Sequence, residues 1–421
     1  MAILQVRSTN PQFSFLIKKN PGSGMMIRPI RKGIAYGWYT DAQTYNVYFK
    51  DADNEISYKQ HEQENFEYLN VSRYNTPLFP LNAMNEFFSA PLRVQDERDV
   101  EGYEQTLFIN MIHIELVRYI DFFEKHLPDF TFEMSHLALK SYSLTVKTSK
   151  SLYQLLHVAG VLCLFLSAFG NEYIDISDSV LDKYIKSVNV MDAPFYIRSL
   201  FVRNFLSSKV RFHKYKGELE KTDRYDIQFA YGGTALQRRM HIGSVLAFDK
   251  SIVDIGCGEG FYAIPFAGKL EASYYAIDID EERLETVKRK AMAKNIDNIV
   301  LTSSIDQFLE SYNGELVDVI LTEVIEHMSL DEAAELIRQI CTSIDFDQLI
   351  ITTPNADFNR YYELSHFRHD DHKWELGEQA FQQWMIHVIK DTGVYAEFAA
   401  IGDRVNEIQT TQGVILKRKG A

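Results

Sequence analysis

In the first half of the chain, apolar and aromatic residues alternate with polar ones over Ile34 to Tyr39 and Thr44 to Phe49. Turn-forming runs at Asn20-Pro21-Gly22 and Asp51-Ala52-Asp53-Asn54 flank them. A period of two puts every second side chain on one face, so strands are expected there. Over Leu107 to His126, Ser151 to Phe169 and Tyr196 to Leu206 the apolar residues fall at helical spacing and predict helices. The longest apolar run, Leu155 to Gly170, contains His157 and is shorter than the roughly 20 residues a membrane span needs. It reads as a buried helix, and no membrane is expected as a partner. From His213 to Asp226 the chain turns polar and charged, the texture of a linker. The expected division is therefore a mixed α+β module over 1–212, a linker over 213–226 and a second domain over 227–421.

In that second domain the pattern becomes a regular exchange of short apolar runs and longer amphipathic ones. Ser251 to Ile255, Ser273 to Asp278, Asn298 to Thr302, Leu316 to Thr322 and Gln348 to Thr352 predict strands. Helical stretches such as Glu281 to Asn295 and Leu330 to Cys341 lie between them. Strands joined by helices imply parallel pairing, so this half is expected to be a doubly wound, Rossmann-like α/β sheet with its ligand at the C-terminal strand ends. Tyr395 to Ile401 and Gly413 to Lys417 are placed to close it as an antiparallel edge pair.

Composition narrows the function. A length of 421 residues suits two domains or three, and the formal net charge of −14 argues against a protein that coats nucleic acid non-specifically. Cys163, Cys257 and Cys341 stand far apart, which suggests neither a disulfide framework nor a zinc site. The N-terminus lacks the residue order of a signal peptide, and a cytoplasmic setting is expected. Lys18, Lys19, Arg28, Arg31 and Lys32 form a basic stretch that suits RNA, an acidic partner or plain solvent.

Two constellations carry chemistry. Asp254-Ile-Gly256-Cys-Gly258-Glu-Gly260 follows an apolar strand and opens a helix, so its glycines let backbone approach a ligand. Its third glycine comes one residue too early for a dinucleotide fingerprint, and Phe261 stands where that glycine would fall. Asp278 ends the next strand, where a carboxylate accepts bonds from both hydroxyls of a nucleoside ribose, and Ser304 with Ile305 would flank the adenine. The pattern looks like the S-adenosylmethionine site of class I methyltransferases. Further on, Glu323, Glu326 and His327 share one face if the segment is helical, and His366, His369 and His372 follow in a second polar cluster. Two carboxylates beside an imidazole suit a cation, and the absence of thiolate favours magnesium or manganese over zinc. A solvated helix start with acidic residues at its dipole is the plainer alternative.

The run E-V-I-E-H-M, followed by T-P-N and F-R-H-x-D-H, resembles the small-RNA 3′-terminal 2′-O-methyltransferase family of the HUA-enhancer type, over about Leu236 to Trp384. The resemblance implies that Glu323, Glu326, His327 and His372 hold a Mn2+ or Mg2+ ion, and that S-adenosylmethionine donates a methyl group to the 2′-hydroxyl at the RNA 3′ end. Asp370, and Trp374-Glu375-Leu376 in place of Phe-Glu-Trp, depart from the family pattern. Phe15-Leu-Ile-Lys18-Lys19-Asn-Pro21 resembles the bacterial branch, which implies RNA repair beside a polynucleotide kinase-phosphatase and an RNA ligase, with 1–212 as a partner or ligase-activating module. His327, His369 or a water on the metal stand open as the general base. Two other readings also stand: a metal-dependent methyltransferase of small vicinal diols, and an assembly subunit that activates repair enzymes.

Overall fold

The structure is a computed structural model that describes residues 2–30, 33–51, 75–170, 172, 174, 176–364 and 366–418. Arg31, Lys32 and most of the turn expected at 51–54 lie outside the described residues. The chain divides into two units, Met1–Leu206 and Ser207–Ala421.

In the first unit the strands β1 (Ala2–Ser8), β2 (Met26–Ile30), β3 (Gly33–Asp41), β4 (Thr44–Asp51), β5 (Gln105–His113), β6 (Phe130–Ala138) and β7 (Ser141–Thr148) form one antiparallel sheet, ordered β2-β3-β4-β1-β5-β7-β6. Leu4, Val6, Val47, Leu107, Ile109, Leu144 and Val146 are buried, as period-two alternation requires. Leu107 to His126 differs from its helical reading. Gln105, Leu107 and Ile109 alternate as a strand paired on both sides, and only Arg118–His126 is helical. An irregularity between Ile109 and Ile112 breaks the period of two, which is why the spacing imitates a helix.

Helix Leu152–Phe169 packs against β5 and β7. Ser151 and Gln154 close a capping box, and the buried Asp99 carboxylate accepts the backbone N–H of Leu152 and of Tyr153, both at 2.8 Å. The helix is long and apolar enough to cross a membrane, yet 78% of it is buried inside the protein, as a core helix would be.

The first part of the expected linker is helical: the units divide after Leu206, 220–226 is in neither helix nor strand, and Lys209–Leu219 is a helix capped by Ser208, with Phe212, Tyr215 and Leu219 buried. Its charged residues occupy the exposed face, which is what gave the stretch its linker-like composition.

The second unit holds β8 (Ile227–Gln228), β9 (Ile252–Ile255), β10 (Tyr274–Ile277), β11 (Ile299–Thr302), β12 (Val317–Thr322), β13 (Phe346–Pro354), β14 (Val394–Val405) and β15 (Ile408–Arg418), ordered β11-β10-β9-β12-β13-β15-β14-β8. The first five neighbours pair in parallel and the last three antiparallel, which is the class I methyltransferase arrangement. Both faces are covered. Val253, Val319, Leu321 and Ile351 face helix Leu330–Ser343, while Ile252, Ala276, Ile320 and Ile350 share the opposite core with Ile242 and Val287.

At the centre of this sheet Asp254 is fully buried and accepts the Tyr274 hydroxyl at 2.8 Å. Burial, with the nearby Asp278 charge, pushes its carboxyl up to about 7 from 3.8. The folded chain therefore holds a proton that the unfolded chain loses near pH 4. Stability from this group is full below pH 4, declines as pH rises toward 7, and is constant above. Asp254→Asn keeps an acceptor for Tyr274 and removes the ionisation. We expect the wild type to lose up to about 1.4 kcal/mol per pH unit relative to the variant across that window, read from urea denaturation at a series of pH values.

Candidate active site

The parallel strands end on one edge, and the loops leaving β9, β10, β11 and β12 meet there. Gly256, Gly258 and Gly260 have φ of +76°, +54° and +81°, the left-handed region that glycine alone enters freely. At Gly256 an added Cβ would stand 2.3 Å from Val324, so the loop and the β12 end pack too closely for a side chain. The Gly256 and Cys257 amides donate to the Ile277 carbonyl, and the Gly258 amide donates to Asp278 Oδ2 at 2.7 Å. Asp278 Oδ1 accepts the Asp280 amide at 3.0 Å, so its carboxylate is fixed at the end of β10.

A cavity of about 550 Å³ opens at this edge, within the range of small-ligand pockets. Of the cofactor residues expected from sequence, Gly256, Asp278, Ser304 and Ile305 line it. Asp254 does not: it lies beneath the loop, bonded to Tyr274. Gly258 and Gly260 shape the loop from outside the lining, Gly260 against Val287. The sequence reading missed Ile279, Val324 and Met328, which give the cavity apolar wall. Ile279 is 90% exposed, and an isoleucine among the acidic residues that follow Asp278 was the available signal.

Glu323, His327 and Asp371 line the same cavity, which joins it to the second constellation. The segment is not a continuous helix. Glu323 has φ +53° and precedes a single 3₁₀ turn, Ile325–His327, so the helical i, i+3 relation expected between Glu323 and Glu326 does not hold. Glu326, His327 and His372 present ligand atoms all within 4.8 Å of one another, and Glu323 lies outside that group. Thr352 Oγ1 donates to Glu323 Oε1 at 3.1 Å, and Arg238 Nη1 pairs with Glu323 Oε2 at 3.2 Å.

Glu326 has no exposed surface. Its Oε2 accepts Thr353 Oγ1 at 3.1 Å and its Oε1 has no partner. Burial, then the Glu323 charge, raises its carboxyl well above the usual range. An orphaned buried carboxylate oxygen beside two imidazoles fits a divalent cation, and oxygen with nitrogen donors suits manganese or magnesium.

The His372 loop is tied to the 3₁₀ turn by two bonds: the Lys373 amide donates to the Glu326 carbonyl at 2.8 Å, and Trp374 Nε1 donates to the Met328 carbonyl at 2.9 Å. His372 Nδ1 meets Glu375 Oε1 at 2.6 Å, which fixes the ring and leaves Nε2 for a ligand. Burial opposes ionisation of Glu375, but bonds from Asn359, the Arg368 amide and His372, with the Arg368 charge, outweigh it and hold the carboxyl low. Arg368 in turn donates to Asn359 Oδ1 and to the Thr410 and Asn355 carbonyls. His327 Nδ1 faces Asp371 Oδ2 at 3.2 Å. His369 is exposed, with its ring centre 5.1 Å from that of His372, outside the ligand group and the cavity lining.

Residues 252–345 match a methyltransferase domain model. The mouse small RNA 2′-O-methyltransferase is 26% identical over 169 residues, covering 36% of this chain and 41% of that protein. The Arabidopsis thaliana small RNA 2′-O-methyltransferase is 26% identical over 176 residues, covering 36% of this chain and 19% of that protein. The chain thus spans less than half the length of these curated relatives. A solved structure of the Pnkp1/Rnl/Hen1 RNA repair complex contains a chain that is 26% identical, with a TM-score of 0.81, and the match covers 99% of this chain and 100% of that one. The Hen1 N-terminal domain model matches residues 3–224, more than half of the sequence, and on that ground the chain belongs to the Hen1 family.

Proposed function

We propose that this chain transfers the methyl group of S-adenosylmethionine to the 2′-hydroxyl of the 3′-terminal nucleotide of RNA, with a bound Mn2+ or Mg2+ ion. The observation that carries the reading is the Glu326, His327 and His372 cluster, which reaches the cavity of about 550 Å³ through His327. Asp278 and the Gly256 turn hold the ribose of the methyl donor, and Ser304 with Ile305 flank its adenine. A divalent cation held by Glu326, His327 and His372, with Glu323 joining, would supply Lewis acidity that makes a ribose hydroxyl easier to ionise at neutral pH.

In the transfer, the hydroxyl oxygen forms the new bond to the methyl carbon, the carbon–sulfur bond breaks and its electron pair stays on sulfur, and the hydroxyl proton passes to a base. The acceptor would be His327, which lines the cavity, His369, whose ring centre stands 5.1 Å from that of His372, or a water held by the cation. Family membership supports RNA as substrate. The full-length likeness to a chain of a repair complex supports a polynucleotide kinase-phosphatase and an RNA ligase as partners, with the first unit as their docking or activating module. The three buried free cysteines suit a reducing, cytoplasmic setting.

Labelled S-adenosylmethionine with an RNA ending in a free ribose is expected to yield labelled RNA in manganese and none with chelator. The same RNA ending in 2′-deoxyribose or a 3′-phosphate should stay unlabelled, and label on either would refute end-directed chelation. Glu326→Gln or His372→Ala should lower methyl transfer at least about 100-fold while calorimetric affinity for S-adenosylmethionine changes less than about threefold. Equal loss of cofactor binding would move these residues from the metal to the donor site.

A further inference from the structure

Arg238 was not singled out by any sequence motif, yet its guanidinium is paired with Glu323, beside the Glu326, His327 and His372 group. It stands 3.2 Å from Glu323 Oε2, with both side chains largely buried, at 13% and 23% exposure, so solvent screens the pair only in part. Its helix, Thr234–Val245, is held rigidly: the neighbouring Gln237 side chain donates to the Ala230 and Gly232 carbonyls and to Asp403.

Glu323 does not need Arg238 to be positioned. Its amide donates to the Thr352 carbonyl at 2.9 Å, and Thr352 Oγ1 donates to its other carboxylate oxygen. What Arg238 adds is therefore charge and competition for one oxygen. Resting on the metal reading above, we infer that Arg238 is an affinity-setting residue: it holds back one carboxylate of the cluster, so that the divalent cation binds weakly and exchanges readily.

The geometry gives this a direction. With Glu323 and Glu326 both ionised the cluster would offer two negative charges to a divalent ion. Arg238 cancels one of them at contact distance, and removing it must strengthen cation binding. A residue that only oriented Glu323 would have the opposite effect when removed.

The test is a Mn2+ titration of the full chain, with free Mn2+ followed by electron paramagnetic resonance at fixed ionic strength. Arg238→Gln is expected to bind Mn2+ at least about fivefold more tightly than wild type, and Arg238→Lys within about twofold of it. Arg238→Met keeps the apolar stem and serves if the glutamine variant does not fold; it should tighten binding likewise. In a Glu323→Gln background, where binding is weaker, the Arg238 substitution should tighten binding by a smaller factor than in the wild type, because only the charge effect and not the competition for Glu323 is left to remove. Unchanged or weaker binding by folded Arg238→Gln or Arg238→Met overturns the inference and leaves the metal reading intact. Absence of Mn2+ binding by the wild type overturns both.

Discussion

Burying the Glu326 carboxyl after the end of β12 has a cost that the single hydroxyl of Thr353 does not offset, and the arrangement of the sheet edge around it follows from that cost. An ionised carboxylate there needs a positive partner, and the groups nearest its oxygens are the imidazoles of His327 and His372, with Arg238 held one residue away on Glu323. His372 is delivered from a distant loop, and that loop is held against the turn where the Glu326 and Met328 carbonyls accept its Lys373 amide and Trp374 indole. The groups that surround the carboxylate are thus fastened through the backbone of the same turn that carries it.

Behind them lies a polar layer in which each group has more than one task. Glu375 fixes His372 while accepting from Asn359 and the Arg368 amide, and Arg368 spans Asn359, Asn355 and Thr410. Such networks hold a site to a narrow geometry because loosening one member leaves another unpaired in a place that water does not reach. The sensitivity of the site extends in this way to side chains that never meet a ligand.

Much of the second unit was legible because its local signals agree. Short apolar runs become β9 to β13, and the Asp254 to Gly260 loop and Asp278 fall where strand ends must be. What was not legible lies in packing and pairing. The spacing of Leu107 to Ile112 fits a helix as well as a strand, and the partners on both sides decide it. Asp254 reads as a ligand residue by motif, but its depth below the loop makes it a support. Arg238 has no motif, because its meaning comes from the fold bringing helix Thr234–Val245 against the end of β12. The polar surface of Lys209–Leu219 hid a helix whose apolar residues are few.

The order of strands has one further consequence, for synthesis. β15 follows β14 in the chain, yet it is an interior strand between β13 and β14. Until it emerges, β13 is an open edge, and the Thr410 carbonyl and Gln412 side chain that brace Arg368, Pro354 and Leu376 are missing. A nascent chain can complete its first unit early, but the edge that carries the candidate site is assembled only as the β14–β15 hairpin inserts, so a chain cut before β15 lacks the groups that brace that site.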